Sequence, residues 1–205
     1  MTTAHNAETL LSILTGEMEW FWDTECNWIT FKKDGTGHLR CGAGLCIFIS
    51  ADFEWKLVNP DFLDQVHDTT VTTSNRRKEH SQLISQFDVE ITLFKRRPEL
   101  FCDPRWISIP INDYNLGDEA FRPKRYTIRL EKGNFFSPGC VQQGTEWDPW
   151  YALRLTFDKS PYPPKQEWKR PDGPQIHNPF WELVEFCGRS LPMVKKQGWS
   201  SCIAS

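Results

Sequence analysis

Few residues in this chain have the type and setting to do chemistry. Glu185 lies in WELVEFC, Trp181 to Cys187, a segment that reads as a last strand. If Trp181 and Leu183 face an interior, Glu185 faces it too, because alternate residues of a strand share a face. A carboxylate among aromatic rings has a raised pKa and can donate or accept a proton. In the other register Val184 and Phe186 point inward and Glu185 meets solvent, and the pattern leaves both registers open.

Tryptophan is the compositional anomaly, at ten of 205 residues. Trp20, Trp22 and Trp28 crowd EMEWFWDTECNW, and Trp55 follows in ADFEWKL. Burial is the main use of an indole, but a small barrel is either filled by side chains or holds one small ligand behind aromatic walls. For these four tryptophans, core filling and ligand lining stand equal.

Familiar catalytic signatures are missing. There is no G-x-S-x-G, no glycine-rich phosphate loop and no H-E-x-x-H, and His5, His38, His67, His80 and His177 lack metal-ligand spacing. A triad hydrolase or a metalloenzyme is therefore disfavoured. The seven cysteines, Cys26, Cys41, Cys46, Cys102, Cys140, Cys187 and Cys202, form no C-x-x-C pair and read as reduced structural thiols. Lys56, Arg129, Glu131, Arg154 and Asp158 sit opposite apolar faces, where cross-strand ion pairs on a wet surface are expected.

The elements that must position these residues are mostly strands. Asn6 can cap a short helix over AETLLSILTG, in which Leu10, Leu11 and Leu14 recur at helical spacing and Gly16 supplies a stop. From Met18 the period changes to two: Met18, Trp20 and Trp22 share a face, Trp28 to Lys33 forms a second strand, and Asp34-Gly35 marks a hairpin. LCIFISADFEWKLV is the clearest strand, with Leu45, Ile47, Ile49, Ala51, Phe53, Trp55 and Leu57 on one face. Further apolar faces are Phe87, Val89, Ile91 and Leu93; Tyr126, Ile128 and Leu130; and Tyr151, Leu153, Leu155 and Phe157. The segments Asn59 to Gln86 and Ser160 to Pro179 read as long loops. About eight strands, one helix and no crossover helices predict an all-β fold, an antiparallel barrel or sandwich.

Bulk properties bound the partners. The net charge is -3 with no basic half, which disfavours nucleic acid, and the longest apolar run is too short to span a bilayer, which disfavours a membrane. No leader is evident at the N-terminus, so cytoplasmic residence is expected. One domain over residues 1–205 is expected, with 190–205 as a C-terminal tail, and a homodimer stays open.

Gly16 and Trp20 on a first strand and Arg189 just after the last give the chain a resemblance to the lipocalin, or calycin, barrels. In those barrels a first-strand tryptophan packs against a late arginine to close one end. The segments WITFKKDGTGHLRC, ADFEWKL, FRPKRYTIRLEKGNF and ALRLTFDKSPYPPKQEW look like those of small fungal lipocalin-like proteins of secondary-metabolite clusters. Some of that group are similar to hetero-Diels-Alderases of tropolone-sesquiterpenoid biosynthesis. The resemblance implies a lipocalin-like barrel acting as a cofactor-independent pericyclase, which joins a quinone-methide heterodiene to a terpene alkene. A non-catalytic carrier of a small hydrophobic polyketide or terpenoid is the alternative. In such an enzyme Trp20, Trp22, Trp28, Phe53, Trp55 and Trp181 would line the substrate cavity, while Glu185, Tyr126 or Tyr151 supplied a proton or hydrogen bond.

Overall fold

The computed structural model describes residues 7–17, 19–71, 81–143, 149–173 and 177–192, with residues 141–143 described by their backbone alone. Its body is a closed antiparallel barrel formed by eight of the ten strands among the described residues. The ten are β1 (Ala7–Thr9), β2 (Trp20–Phe21), β3 (Trp28–Phe31), β4 (Thr36–Ala43), β5 (Cys46–Leu57), β6 (Val66–Asp68), β7 (Gln82–Leu93), β8 (Lys124–Phe135), β9 (Tyr151–Phe157) and β10 (Glu185–Ser190). Around the barrel the order is β10-β2-β3-β4-β5-β7-β8-β9, while β1 and β6 pair apart from it. This is the all-β antiparallel barrel that the alternation allows, in the lipocalin-like form that the resemblance implies, with a short helix near the N-terminus.

The alternation in β5 explains its face directly. Ile49, Ala51, Phe53, Trp55 and Leu57 are buried, while Glu54 and Lys56 are exposed. The same division holds for Phe87, Val89, Ile91 and Leu93 in β7 and for Tyr126, Ile128 and Leu130 in β8. Ion pairs occupy the opposite surface: Lys56 to Glu90 at 2.9 Å and Arg154 to Glu131 at 3.1 Å run between strands as expected, whereas Arg129 meets Glu131 at 3.6 Å along β8 itself, and Glu131 is buried, not wet.

Aromatic side chains fill the barrel. Phe31 stands edge-on to Phe53 at 5.7 Å and to Trp55 at 5.4 Å, and Phe157 contacts Tyr126 at 5.9 Å and Phe186 at 5.7 Å. Gly37 makes room for one of these rings, since a Cβ there would lie 2.3 Å from Phe53 and from the Thr30 carbonyl.

Each end is plugged. At the base, where the β3–β4 hairpin turns on Gly35 (φ 80°), helix α1 (Leu10–Gly16) inserts Leu10, Ile13 and Leu14, spaced to share one face. Thr9 caps α1 by accepting the Ser12 amide; the cap expected at Asn6 lies outside the described residues. At the opposite end, the mouth, Tyr162 donates to the Arg40 carbonyl at 2.7 Å, and Trp168 and Phe180 stack at 6.0 Å.

Several segments differ from their sequence reading: Ala7–Thr9, read as the start of the helix, is strand β1, and a second short helix covers Pro138–Gln143. The strand that carries Trp20, β2, is only two residues long, because Asp23 draws the chain into a turn directly after Trp22. The Asn59–Gln86 segment holds a 3-10 turn at Pro60–Phe62 and strand β6, and β7 already starts at Gln82. The last strand runs from Glu185 to Ser190; Phe180–Glu182 follows Pro179 as a 3-10 turn, with the Glu182 amide donating to the Pro179 carbonyl.

Candidate functional site

At the mouth, three turns and a crossing segment enclose a cavity of about 400 Å³. Its walls come from the β2–β3 turn (Trp22, Asp23, Glu25, Asn27), the β4–β5 turn (Gly42 to Gly44) and the approach to β10 (His177 to Phe180, Glu182 and Leu183), with Gly139 closing one side. Gly139 begins to close helix α2 (Pro138–Gln143) against Trp22: its amide donates to the Trp22 carbonyl at 2.8 Å, and a Cβ there would stand 2.9 Å from the indole. The indole is thereby held between the linker and the cavity.

Asp23 organises the floor. Its Oδ1 accepts the amides of Glu25 (3.0 Å), Cys26 (2.7 Å) and Asn27 (2.9 Å), and its Oδ2 accepts Asn27 Nδ2 at 2.5 Å. Asn27 in turn accepts the Gly42 amide at 3.2 Å, which ties the two turns together. An aspartate followed by several free amides folds the chain around its own carboxylate, which is why this segment turns instead of continuing β2. Burial, and then the charge of Asp23, pushes the Cys26 thiol up from its ordinary value, so it is a poor nucleophile.

The residues expected from sequence divide among four places. Trp22 lines the mouth cavity. Trp20, Phe53, Trp55 and Tyr126 belong to the packed interior. The Trp20 indole donates to the Leu14 carbonyl at 3.1 Å, and its ring lies against Gly188, where a Cβ would be 2.8 Å away. Trp55 donates to the Thr36 carbonyl at 2.9 Å. Burial raises the Tyr126 hydroxyl well above the usual phenol range, with Glu167 and Asp158 adding to the shift.

Trp28, Tyr151 and Glu185 lie on the outer side. Ile29 and Phe31 take the inward positions of β3, so Trp28 faces out and packs on His38 at 5.2 Å. Tyr151 leaves the lumen side because the β8–β9 register shifts between Lys132 and Phe135; it packs with Phe135, Cys187 and Phe21 in a separate small cluster. Phe186 takes the inward position of β10, so Glu185 is 40 % exposed and 3.6 Å from Arg154. Trp181 sits in the 3-10 turn, edge-on to Trp168 at 6.0 Å, not on a strand.

One arrangement escaped the sequence reading. On the outer face of β4 and β5, His38 Nε2 is 2.9 Å from Ser50 Oγ, and His38 Nδ1 is 2.9 Å from Asp52 Oδ1. The order matches a serine triad, yet Ser50 is only 1 % exposed. Asn112, at φ 53°, clamps its backbone by accepting the Ser50 amide and donating to the Ser50 carbonyl. The hydroxyl therefore joins β5 to β4 through His38 while the Ser50 backbone ties β5 to the Asn112 loop, and at 1 % exposure the serine is closed to a substrate.

Among the described residues, no group of three or more His, Cys, Asp or Glu side chains could hold a metal ion, and no helix is long and apolar enough to cross a membrane. Comparison with protein families, curated proteins and solved structures returns no match.

Proposed function

We propose that this chain binds a small metabolite with a flat, apolar body in the mouth cavity, above an interior packed with aromatic side chains. The observation that carries this reading is the recess of about 400 Å³, whose lining is more polar than apolar and includes Trp22 and Leu183 as apolar wall. Ligand pockets commonly span ~300–1,000 Å³ and combine apolar walls with a few polar groups.

The resemblance to hetero-Diels-Alderases supports a reaction class, a pericyclic ring closure of a heterodiene and an alkene held in one orientation. Tyr126, Tyr151 and Glu185 stand away from the cavity, so Glu25, Glu182 and His177 replace them as its proton-handling groups. A non-catalytic carrier is favoured by a different observation: the buried polar groups of the cavity, Asp23 and Asn27, already satisfy each other and neighbouring backbone.

Titration of aromatic polyketides and terpenes against the chain, followed by calorimetry, tests the binding. Saturable binding is expected, lost in Trp22→Ala and retained in the interior variant Phe53→Leu. Binding that survives Trp22→Ala, or none at all, overturns the mouth as the site. Product analysis separates the two roles, because a carrier leaves the uncatalysed ratio of cycloadducts unchanged and a pericyclase shifts it.

A further inference from the structure

We propose that Gly139 sets the shape selectivity of the mouth cavity: it acts through Trp22 as a positioning residue, holding the indole at one angle to the recess, so that a flat ligand is preferred over a globular one. The inference rests on the small-molecule reading of the cavity and adds the residue that decides which bodies fit.

Gly139 is a glycine for the sake of its neighbours and not of its own backbone. Among the described glycines only Gly35 and Gly44 take a positive φ, so no left-handed conformation demands the residue type at 139. A Cβ there would nevertheless stand 2.6 Å from the Asp23 Cβ and 2.9 and 3.1 Å from Cζ3 and Cε3 of the Trp22 ring. Both neighbours line the recess, as Gly139 itself does.

Two of the three parts in this contact are pinned. Behind Gly139, the Ser137 carbonyl accepts the Cys140 amide at 3.1 Å and the Ser137 hydroxyl donates to the Cys140 sulfur at 2.8 Å, while the Phe136 carbonyl accepts the Cys187 thiol from β10. On the other side, the Asp23 carboxylate is held by the amides of Glu25, Cys26 and Asn27. The Trp22 backbone is pinned as well, by Asn27 and by Gly139, but its half-buried indole makes no hydrogen bond among the described residues. The ring is therefore the part that yields. A side chain at 139 would turn it to another rotamer, and the apolar wall that it forms would turn with it.

Two alcohols with equal carbon counts separate shape from hydrophobicity: flat 2-naphthol and globular 1-adamantanol. Calorimetric titration of the full chain should find 2-naphthol about tenfold tighter in the wild type, and Gly139→Ala should remove most of that preference by weakening 2-naphthol. Combining Gly139→Ala with Trp22→Phe, whose shorter ring withdraws from position 139, should return the 2-naphthol affinity to that of Trp22→Phe alone. A general loss of structure would instead weaken both alcohols alike and would not be relieved by the second change. A wild type without the preference, a preference unchanged in Gly139→Ala, an equal loss for both alcohols, or a double variant no better than Gly139→Ala overturns the role of position 139 while leaving a mouth-bound ligand in place. Binding of 2-naphthol that survives Trp22→Ala, or no binding of either alcohol, overturns the mouth as the site and this inference with it.

Discussion

The half-buried His38 shows how a single side chain on the outer wall contributes to the pH response of the barrel. Burial holds its imidazole below the ordinary value, against the opposing hydrogen bond and charge of Asp52. The unfolded chain takes up a proton near pH ~6.5, while the native chain resists it until lower pH. The stability contributed by neutral His38 is therefore complete above about pH 6.5 and is lost as the pH falls toward the native value. Urea unfolding at pH 7 and pH 5.5 should show this loss in the wild type and a flatter dependence in His38→Gln. An equal slope in both removes His38 from the account. Gly37 makes a steric case at the same scale. Gly37→Ala would press a Cβ onto the Thr30 carbonyl and the Phe53 ring, and a loss of ~3 kcal/mol or more is expected in the same measurement.

Helix α1 and the strand pair β1–β6 form a base that is locked by charge. Arg189 donates from Nη1 to Glu8 Oε2 at 2.6 Å, from Nη2 to Glu8 Oε1 at 3.1 Å and from Nε to Glu17 Oε1 at 2.9 Å. Burial alone would raise Glu8, but hydrogen bonds from Arg189 and Thr69 leave its carboxyl below the usual range. A lowered native value means that this stability is present above the unfolded value near 4.5 and is lost as the pH falls through the native one. Glu8→Gln should destabilise at pH 7 and converge with the wild type in strong acid, as read by thermal melts across that range. Leu14→Ala, which opens a cavity in the apolar plug, should cost ~2–5 kcal/mol at any pH. At this scale the sequence is informative where one face of an element is dry. The alternation in β5 and the Leu10–Leu14 spacing can be read because a single period decides burial. Glu185 could not be placed, since both registers of its segment present an apolar set, and Tyr151 was misplaced by a local register shift that leaves no periodic trace. The mouth cavity was invisible for another reason: residues 22–27, 42–44 and 177–183 meet only after the barrel closes, and turns carry no period. The run of indoles with Asp23 was the one local sign of it.

Over the whole molecule, strength is spread unevenly around the ring. β7 and β8 pair over nine register positions, whereas β10 meets β2 at one, Cys187 opposite Phe21. Amide exchange should therefore be fastest at the β2–β10 seam and slowest in β7 and β8, since opening a short ladder exposes few bonds and little apolar surface. Uniform protection around the ring would contradict that expectation. The linker that carries Phe136 and α2 crosses this seam from outside, where Cys187 donates to the Phe136 carbonyl at 3.4 Å. It also carries Gly139 to Trp22, so the weakest join of the barrel and one wall of the mouth cavity share a single covering segment.

The seam has a consequence for the chain in crowded company. A barrel has no free edges, but a ring parted at one join presents two at once, β2 and β10, each with backbone groups that a neighbour can pair. Two copies parted at the same place offer each other matching edges, which is the geometry of strand exchange. Warming a concentrated sample below its melting point should then yield dimers whose amount grows with concentration and declines when a ligand holds the mouth, and with it the seam, shut.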